Sequence, residues 1–209
     1  MKVLIADDHP IFRAGLKEIL TKESDVESLG EAENGHAVLK LARKERWDLV
    51  LLDITMPGKD GIDVLHDLQR EYPKLPVLIL SAHPEDQLGL RLLKAGAAGY
   101  LTKDKAPEAL IAAIRKILAG GKYVSPSLGE QAVQRLTSEA ADPLHELLTD
   151  REFQVMRMIA KGQSVKQIGK ELFISPRTVS TYRFRVLEKM QMKTNADLMR
   201  YAIEKKLLE

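Results

Sequence analysis

The 209-residue sequence predicts two structural classes in one chain, a doubly wound α/β domain with a five-stranded parallel sheet and a small all-α domain of four helices. Two observations predict this division. Short apolar runs alternate with helix-like segments over about the first 120 residues, whereas the periodic segments after residue 147 have helical spacing. The charge changes at the same place, because residues 1–146 carry a net charge of −4 and residues 147–209 one of +6.

Five short apolar runs predict the strands of the sheet. Several are almost continuously apolar, which is typical of parallel strands covered by helices on both faces. The runs lie at residues 3–6, 26–32, 48–54, 76–82 and 98–103. Apolar residues at three- and four-residue spacing predict helices near residues 10–22, 35–46, 61–71, 84–96 and 106–119. This alternation predicts a right-handed doubly wound fold.

The predicted domains are residues 1–121 and 147–209, separated by a linker over residues 122–146. The pattern weakens in the linker, which contains SPS and TSEAADP, and a short helix is expected around residues 127–136. In the helical domain, capping residues mark where helices begin. These are Thr149 with Glu152, Ser164 with Gln167, Ser175 before Pro176, and Thr194 or Asn195.

Composition excludes several classes of protein. The absence of cysteine rules out a disulfide framework and a thiolate metal site. The first apolar run is only four residues long before acidic residues appear, and no run approaches the 18 residues of a membrane span. A cytoplasmic protein without a membrane partner is the expectation. The basic residues after 147 make nucleic acid the candidate partner of the helical domain.

Polar residues follow the predicted strands at one edge of the sheet. Asp7 and Asp8 follow the first run, Asp53 closes the third, Ser81 the fourth and Lys103 the fifth. Because ligands of open α/β sheets bind outside the carboxyl ends of the strands, these side chains are expected to meet. Three carboxylates favour a hard cation, so Mg²⁺ (or Mn²⁺) is the expected cofactor.

The same constellation suits phosphoryl transfer to a carboxylate. Beside Mg²⁺, a carboxylate can attack phosphorus and form an acyl phosphate. A lysine and a hydroxyl are then expected around the transferred oxygens, and Lys103 and Ser81 supply them. An aspartate-nucleophile phosphohydrolase would use similar chemistry. Such enzymes typically carry a second Asp two residues after the nucleophile, where this chain has Thr55.

The motifs ADDHP, LLDITMPGKDG, LSA and GYLTK resemble, in order and spacing, those of response-regulator receiver domains. The resemblance covers about 120 residues and implies a flavodoxin-like fold. It assigns Asp53 as phosphoacceptor, Asp8, Asp53, Asp7 and the Thr55 backbone carbonyl as metal ligands, and Ser81, Lys103 and Tyr100 as phosphoryl-binding or switch residues. Tyr100 is expected to rotate inward as Ser81 follows the phosphate. One departure is Asp104, because many receivers have proline there.

Residues 147–208 resemble the four-helix helix-turn-helix domain of the LuxR/NarL type through LTDRE, G-x-S, ISPRTVSTY and EKM. In that motif the second helix, the recognition helix, enters the major groove of DNA. Here it would begin at Ser175-Pro176 and expose Arg177, Ser180 and Thr181 to base edges. Residues expected to contact the DNA backbone or to position the helix are Thr178, Tyr182, Arg183, Arg185, Lys166 and Lys189. The expected core face is Val179, Val186 and Leu187, with Phe184.

Together the two resemblances imply a two-component response regulator of the NarL/FixJ class. A sensor histidine kinase would phosphorylate Asp53, which would switch dimerisation and sequence-specific binding of promoter DNA. The protein would catalyse its own phosphotransfer and dephosphorylation but would not otherwise be an enzyme. The last helix, near residues 195–208, would contribute to a homodimer contact. An alternative is a phosphorylation-independent transcription factor, against which the intact set of pocket residues argues.

Overall fold

The computed structural model describes residues 1–57, 59, 61–82, 85–137, 143–205 and 207–208. The middle of the predicted linker, residues 138–142, lies outside the described residues. The chain divides into two compact units, Met1–Thr137 and Ser138–Glu209. Among the described residues, every helix is too short or too polar to cross a membrane.

The first unit is built on a five-stranded sheet in which all neighbouring strands are parallel. The strands are β1 (Lys2–Ala6), β2 (Ser28–Ala32), β3 (Leu49–Asp53), β4 (Val77–Ser81) and β5 (Gly99–Thr102). Their order across the sheet is β2-β1-β3-β4-β5. This arrangement confirms the predicted fold. Every residue of β3 and β4 is buried, as expected for central strands covered on both faces.

Helices lie between successive strands of the first unit and after its last strand. They are α1 (Pro10–Thr21), α2 (Gly35–Lys44), α3 (Gly61–Glu71), α4 (Glu85–Lys94), α5 (Ala106–Leu118) and α6 (Pro126–Thr137). Apolar residues of α1 and α5 pack with alternate residues of four strands in one buried cluster, which includes Leu16, Leu110, Val3 and Leu51. The two helices therefore cover one face of the sheet together.

The strand register brings the polar strand ends to one edge. Asp53 ends β3 opposite Leu80, and Ser81 ends β4 opposite Thr102. The next residue, Lys103, donates its backbone N–H to the Ser81 carbonyl over 2.8 Å. At the other side, the Asp7 N–H donates to the Ala32 carbonyl at the end of β2. Because parallel strands share one carboxyl end, these polar residues meet there.

The last helix of the first unit, α6, packs against α4. Leu128 on α6 is completely buried, and its side chain occupies the space that a Cβ on Gly89 would fill. The segment before α6 is also bound to the first unit, because the Tyr123 N–H donates to the Ala98 carbonyl over 2.9 Å beside β5. The expected short helix after residue 122 thus belongs to the first unit.

The second unit contains four helices after a short 3₁₀ turn at Leu144–Leu147. They are α7 (Asp150–Ala160), α8 (Val165–Glu171), α9 (Pro176–Lys189) and α10 (Asn195–Glu204). The predicted helix starts are confirmed, with capping boxes at Thr149–Glu152, Ser164–Gln167 and Thr194–Asp197, and Ser175 as the N-cap before Pro176. Helix α7 is buried along its whole length between α8, α9 and α10. It is therefore the centre of this unit's core.

Candidate functional site

A partly buried lysine and two buried carboxylates form the centre of the polar edge. Asp7 and Asp53 are 0% and 1% exposed. The Lys103 Nζ lies 2.6 Å from an oxygen of each of them. These side chains come from the ends of β1, β3 and β5, which are far apart in sequence and are brought together only by the sheet.

The Asp53 carboxyl is difficult to ionise in this surrounding. Its burial raises the pKa to about 6, and repulsion from Asp7 acts in the same direction. Lys103 and the Thr55 N–H, which donates to Asp53 Oδ1 over 3.0 Å, oppose that rise in the pKa. A further positive charge at this edge would therefore favour the ionised form, the form that can act as a nucleophile.

The Lys103 ammonium keeps its charge in spite of being largely buried. Burial would lower its pKa, but attraction to Asp53 and Asp7 outweighs burial and raises the pKa above the ordinary value. The Nζ also lies 4.8 Å from the centre of the Phe12 ring, within the range of a cation–π contact. Lys103 is thus held as a fixed cation between two acids.

An acidic cluster next to Lys103 has the composition of a cation site. One ligand atom from each of Asp7, Asp8, His9 and Asp53 lies within 4.8 Å of the others. The buried Asp8 Oδ1 receives no hydrogen bond of good geometry from the described residues, although His9 Nδ1 lies 2.8 Å away. Carboxylate oxygens without hydrogen-bond donors are the ligands that Mg²⁺ prefers, so these residues fit that ion.

Arg13 helps to hold this cluster in place, and this role was not predicted from the sequence. Its Nη1 donates to the Asp7 backbone carbonyl over 2.7 Å, and its Nε lies 3.5 Å from a Glu31 oxygen. The His9 N–H donates to Asp7 Oδ1 over 2.8 Å and fixes the same carboxylate from the other side. The position of Arg13 in the first turn of α1, six residues after Asp7, is the one signal that could have indicated this contact.

The predicted switch residues, Ser81 and Tyr100, lie on strands β4 and β5. Ser81 and Tyr100 are both completely buried, and Tyr100 pairs with Ile79 in the register of β4 and β5. Asp104, where many receivers have proline, follows Lys103 through a trans peptide bond. Asp104 is exposed, and its interaction with the Thr102 side chain lowers the pKa of its carboxyl.

In the second unit, α9 presents the predicted base-contacting residues to the solvent. Arg177, Ser180 and Thr181 are exposed. The Ser180 and Thr181 hydroxyls donate to the Pro176 and Arg177 carbonyls over 3.0 and 3.1 Å. These two hydroxyls therefore offer an outside partner lone pairs, while Arg177 offers donors.

Other predicted DNA contacts have partners within the unit. Arg183 Nε donates to Asn195 Oδ1 at the start of α10 over 2.6 Å. Lys189 Nζ donates to the buried Glu152 over 2.6 Å. The Thr178 and Ser175 hydroxyls lie 2.7 Å apart at the helix N-cap. Among the remaining predicted residues, Lys166 and Arg185 are exposed and Tyr182 is partly buried.

The expected core face of α9 is only partly correct. Val179 and Val186 are completely buried. Phe184 is 66% exposed, so its expected place in the core is wrong. The reason is the helical period, because Phe184 lies two turns after Arg177 and on the same side of the helix.

Two family models match the chain, and together they cover most of it. The model described as "Response regulator receiver domain" matches residues 3–115. The model described as "Bacterial regulatory proteins, luxR family" matches residues 146–202. The two matched segments correspond to the α/β unit and the helical unit.

Relatives resemble the chain along almost its whole length. The response regulator GacA of Pseudomonas aeruginosa is 37% identical over 97% of this chain and 95% of its own. The response regulator UvrY of Escherichia coli is 35% identical over 97% of this chain and 94% of its own. A solved structure of RcsB from Salmonella enterica serovar Typhimurium, bound to promoter rprA with the phosphomimetic BeF₃⁻, has a TM-score of 0.63 at 26% identity. The alignment covers 96% of this chain and 98% of that one. Another RcsB structure contains two dimers bound to two parallel DNAs, with a TM-score of 0.61 at 26% identity, covering 96% and 97%.

Proposed function

The chain belongs to the response regulators that join a receiver domain to a luxR-family regulatory domain, and on this premise we propose that Asp53 accepts a phosphoryl group that controls DNA binding by the helical unit. The donor is the phosphohistidine of a sensor histidine kinase. The P–N bond to the imidazole breaks as a P–O bond to an Asp53 oxygen forms, and the electron pair leaves with the imidazole. The observation that carries this proposal is the convergence of Asp7, Asp53 and Lys103 at the carboxyl edge of the sheet.

The proposed division of labour follows the geometry of the pocket. Asp53 is the nucleophile, and Lys103 donates hydrogen bonds to the transferred phosphoryl oxygens, whose negative charge then competes with that of Asp7 for the ammonium. Ser81, buried at the end of β4, donates its hydroxyl to another of these oxygens. Arg13 and His9 hold Asp7 in place throughout.

Asp8, Asp7 and Asp53, with the Thr55 backbone carbonyl, would hold Mg²⁺ (or Mn²⁺). The ion supplies positive charge next to the transferred phosphoryl group. The chain's own contribution is to keep buried oxygens that receive no hydrogen bond of good geometry, such as Asp8 Oδ1, at the edge. It also excludes water from Asp53 by burial, which strengthens each electrostatic contact.

Conformational switching begins at Ser81 and Tyr100. Phosphorylation favours the arrangement in which Ser81 and Lys103 both contact the phosphoryl oxygens. Tyr100 lies two residues before Thr102, the partner of Ser81 in the sheet register. A shift of Ser81 is therefore transmitted along β4 and β5 to the buried tyrosine.

The helical unit binds promoter DNA as one half of a homodimer. Helix α9 enters the major groove and places Arg177, Ser180 and Thr181 against base edges. Residues that contact phosphates are Lys166, Arg185, Tyr182 and Thr178. Arg183 and Lys189 position the helix through Asn195 and Glu152. Two-fold symmetry of the dimer then matches inverted half-sites in the promoter.

The test compares Asp53→Asn with wild type in two assays. Wild type incubated with acetyl phosphate and Mg²⁺ should gain the mass of one phosphoryl group, and beryllofluoride should strengthen its binding to a selected duplex. Asp53→Asn should fold and show neither response. The matched control is Asp25→Asn, whose exposed residue lies at the opposite edge of the sheet, beside the amino group of Met1. Normal Mg²⁺-dependent labelling of Asp53→Asn would refute the assignment.

A further inference from the structure

Helix α9 carries a large apolar side chain on its solvent side. Phe184 is 66% exposed, although burial of a phenylalanine is strongly favourable. The buried residues Val179 and Val186 define the opposite side of the helix. At about 100° per residue, Phe184 lies about 20° from Arg177 and about 160° from Val186 around the helix axis. The ring is therefore central to the face that carries the proposed base contacts.

The neighbours of Phe184 identify the partner of this face. Arg177 and Arg185 are exposed, and the helical domain as a whole carries a net charge of +6. The exposed Glu188 lies one turn after Phe184, so the positive charge that favours phosphates comes from Arg177, Arg185 and the domain as a whole. The exposed ring suits a groove lined by phosphates that also contains apolar groups. In the major groove of DNA, the apolar group is the C5-methyl of thymine.

The hydroxyl and guanidinium groups on this face recognise hydrogen-bonding groups of bases, whereas an aromatic ring can contact an apolar group of a base. The Ser180 and Thr181 hydroxyls donate to helix carbonyls, so they present acceptors to an outside partner. Of the three residues with proposed base contacts, Arg177 is the one that offers hydrogen-bond donors. Of these three side chains only that of Thr181 carries a methyl group, so a large apolar contact to the thymine C5-methyl has to come from another residue on this face.

We infer that Phe184 packs against a thymine methyl group in the major groove and selects a T·A pair in each half-site. This rests on the proposed DNA binding. Seven residues of helix span about 10 Å, or about three base steps of 3.4 Å, so the selected pair lies about three positions from the one that Arg177 contacts. Phe184 is then a specificity-determining residue, whereas the proposed phosphate contacts Lys166 and Arg185 supply affinity without sequence preference.

The experiment uses the full-length protein activated with beryllofluoride. A duplex library with random sequence is selected with wild type, Phe184→Ser and Phe184→Leu, and with Leu147→Ser as a control that removes another exposed apolar side chain. Binding of the wild-type consensus duplex is then measured with thymine, and with uracil, at each T·A position. Uracil pairs like thymine and lacks only the methyl group.

Wild type, Phe184→Leu and Leu147→Ser should all select a T·A pair at one shared position of each half-site. Uracil there should weaken wild-type binding about fourfold per half-site, the effect of one buried methyl group. Phe184→Ser should lose both the selection and the uracil effect while its other base preferences remain.

Two outcomes overturn the inference in different ways. If Phe184→Ser selects the same consensus and stays sensitive to uracil, the ring does not contact thymine, and a change of oligomeric state in this variant would mark the ring as a protein contact. If wild type enriches no sequence at all, the proposed DNA binding fails together with the role of Phe184.

Discussion

A buried carboxylate lies beside a lysine in each unit, Asp53 in the α/β unit and Glu152 in the helical unit, and the pKa values of the two shift in opposite directions. Asp53 in the α/β unit is 1% exposed and Glu152 in the helical unit is 2% exposed. Each has an oxygen 2.6 Å from a lysine Nζ, from Lys103 and Lys189 respectively. Yet the pKa of Asp53 is raised to about 6, and that of Glu152 is lowered.

The difference lies first in the cost of burial and then in the sharing of the cation. Burial is the largest cause of the raised pKa of Asp53 and acts less strongly on Glu152, and Asp53 must also share its ammonium with a second carboxylate, Asp7. Among the described residues, Glu152 is the acid paired with Lys189, and it also accepts the backbone N–H of Thr149 over 2.8 Å in the capping box. The pair in the helical unit is complete. The cluster in the α/β unit has more negative than positive charges, and the proposed cation would supply the missing positive charge.

The largest effect is expected from Glu152→Ala. It removes one half of the capping box and the partner of Lys189, which should lower the free energy of unfolding of the helical unit by about 3 kcal/mol. Hydrogen exchange of α7 in the intact chain measures this loss. Glu152→Gln keeps an acceptor for the Thr149 N–H and should lose about half as much. An effect of Glu152→Ala below about 1 kcal/mol would show that this pair is not structural.

In the absence of divalent ions, Asp53→Asn is expected to raise the free energy of unfolding, whereas Glu152→Ala lowers it. The variant removes a charge that burial disfavours, so the free energy of unfolding of the α/β unit should rise by about 2 kcal/mol at pH 8. Trp47, the single tryptophan, is buried in this unit and reports its unfolding in urea through fluorescence. A destabilised Asp53→Asn would mean that the ion pair with Lys103 outweighs the cost of burial.

The contributions of Asp53 and Glu152 to stability should also depend on pH in different ways. The pKa of Asp53 in the folded protein is above its ordinary value, so its ionisation costs stability as pH rises from about 4 through about 6. In chelator, the stability gain of Asp53→Asn should therefore be full at pH 8 and shrink towards zero near pH 4. The pKa of Glu152 is lowered, so its contribution to stability is present above pH 4.5 and is lost only as pH falls below that. Urea titrations of both variants from pH 3.5 to 8 should separate these windows.

The smallest effect is expected from Mg²⁺. At ten times its dissociation constant, a ligand that binds only the folded state stabilises by about 1.4 kcal/mol. Trp47 fluorescence should report this gain for wild type and a much smaller one for Asp8→Asn, while Asp25→Asn behaves as wild type. Equal stabilisation of wild type and Asp8→Asn would exclude Asp8 from the proposed site.

Much of the fold could be predicted from the sequence because it depends on local patterns. Near-continuous apolar runs correspond to β3 and β4, and paired capping residues correspond to the starts of α7, α8 and α10. The convergence of Asp7, Asp53 and Lys103 could also be predicted, since parallel strands end at one edge. Phe184 was placed wrongly because a phenylalanine is more often buried than exposed and its angular position on α9 was given too little weight.

By itself, the sequence determined the five βα units, the four capped helices and the set of polar residues at the strand ends, because period, capping and strand direction depend on residues close together in the chain. Only the tertiary structure decided which charges are shared and which are paired. The contacts of Lys103 with two acids, of Lys189 with Glu152 and of Arg13 with the Asp7 carbonyl join residues on different elements. Their energies depend on burial and on distances of a few ångströms, which are set when the elements pack.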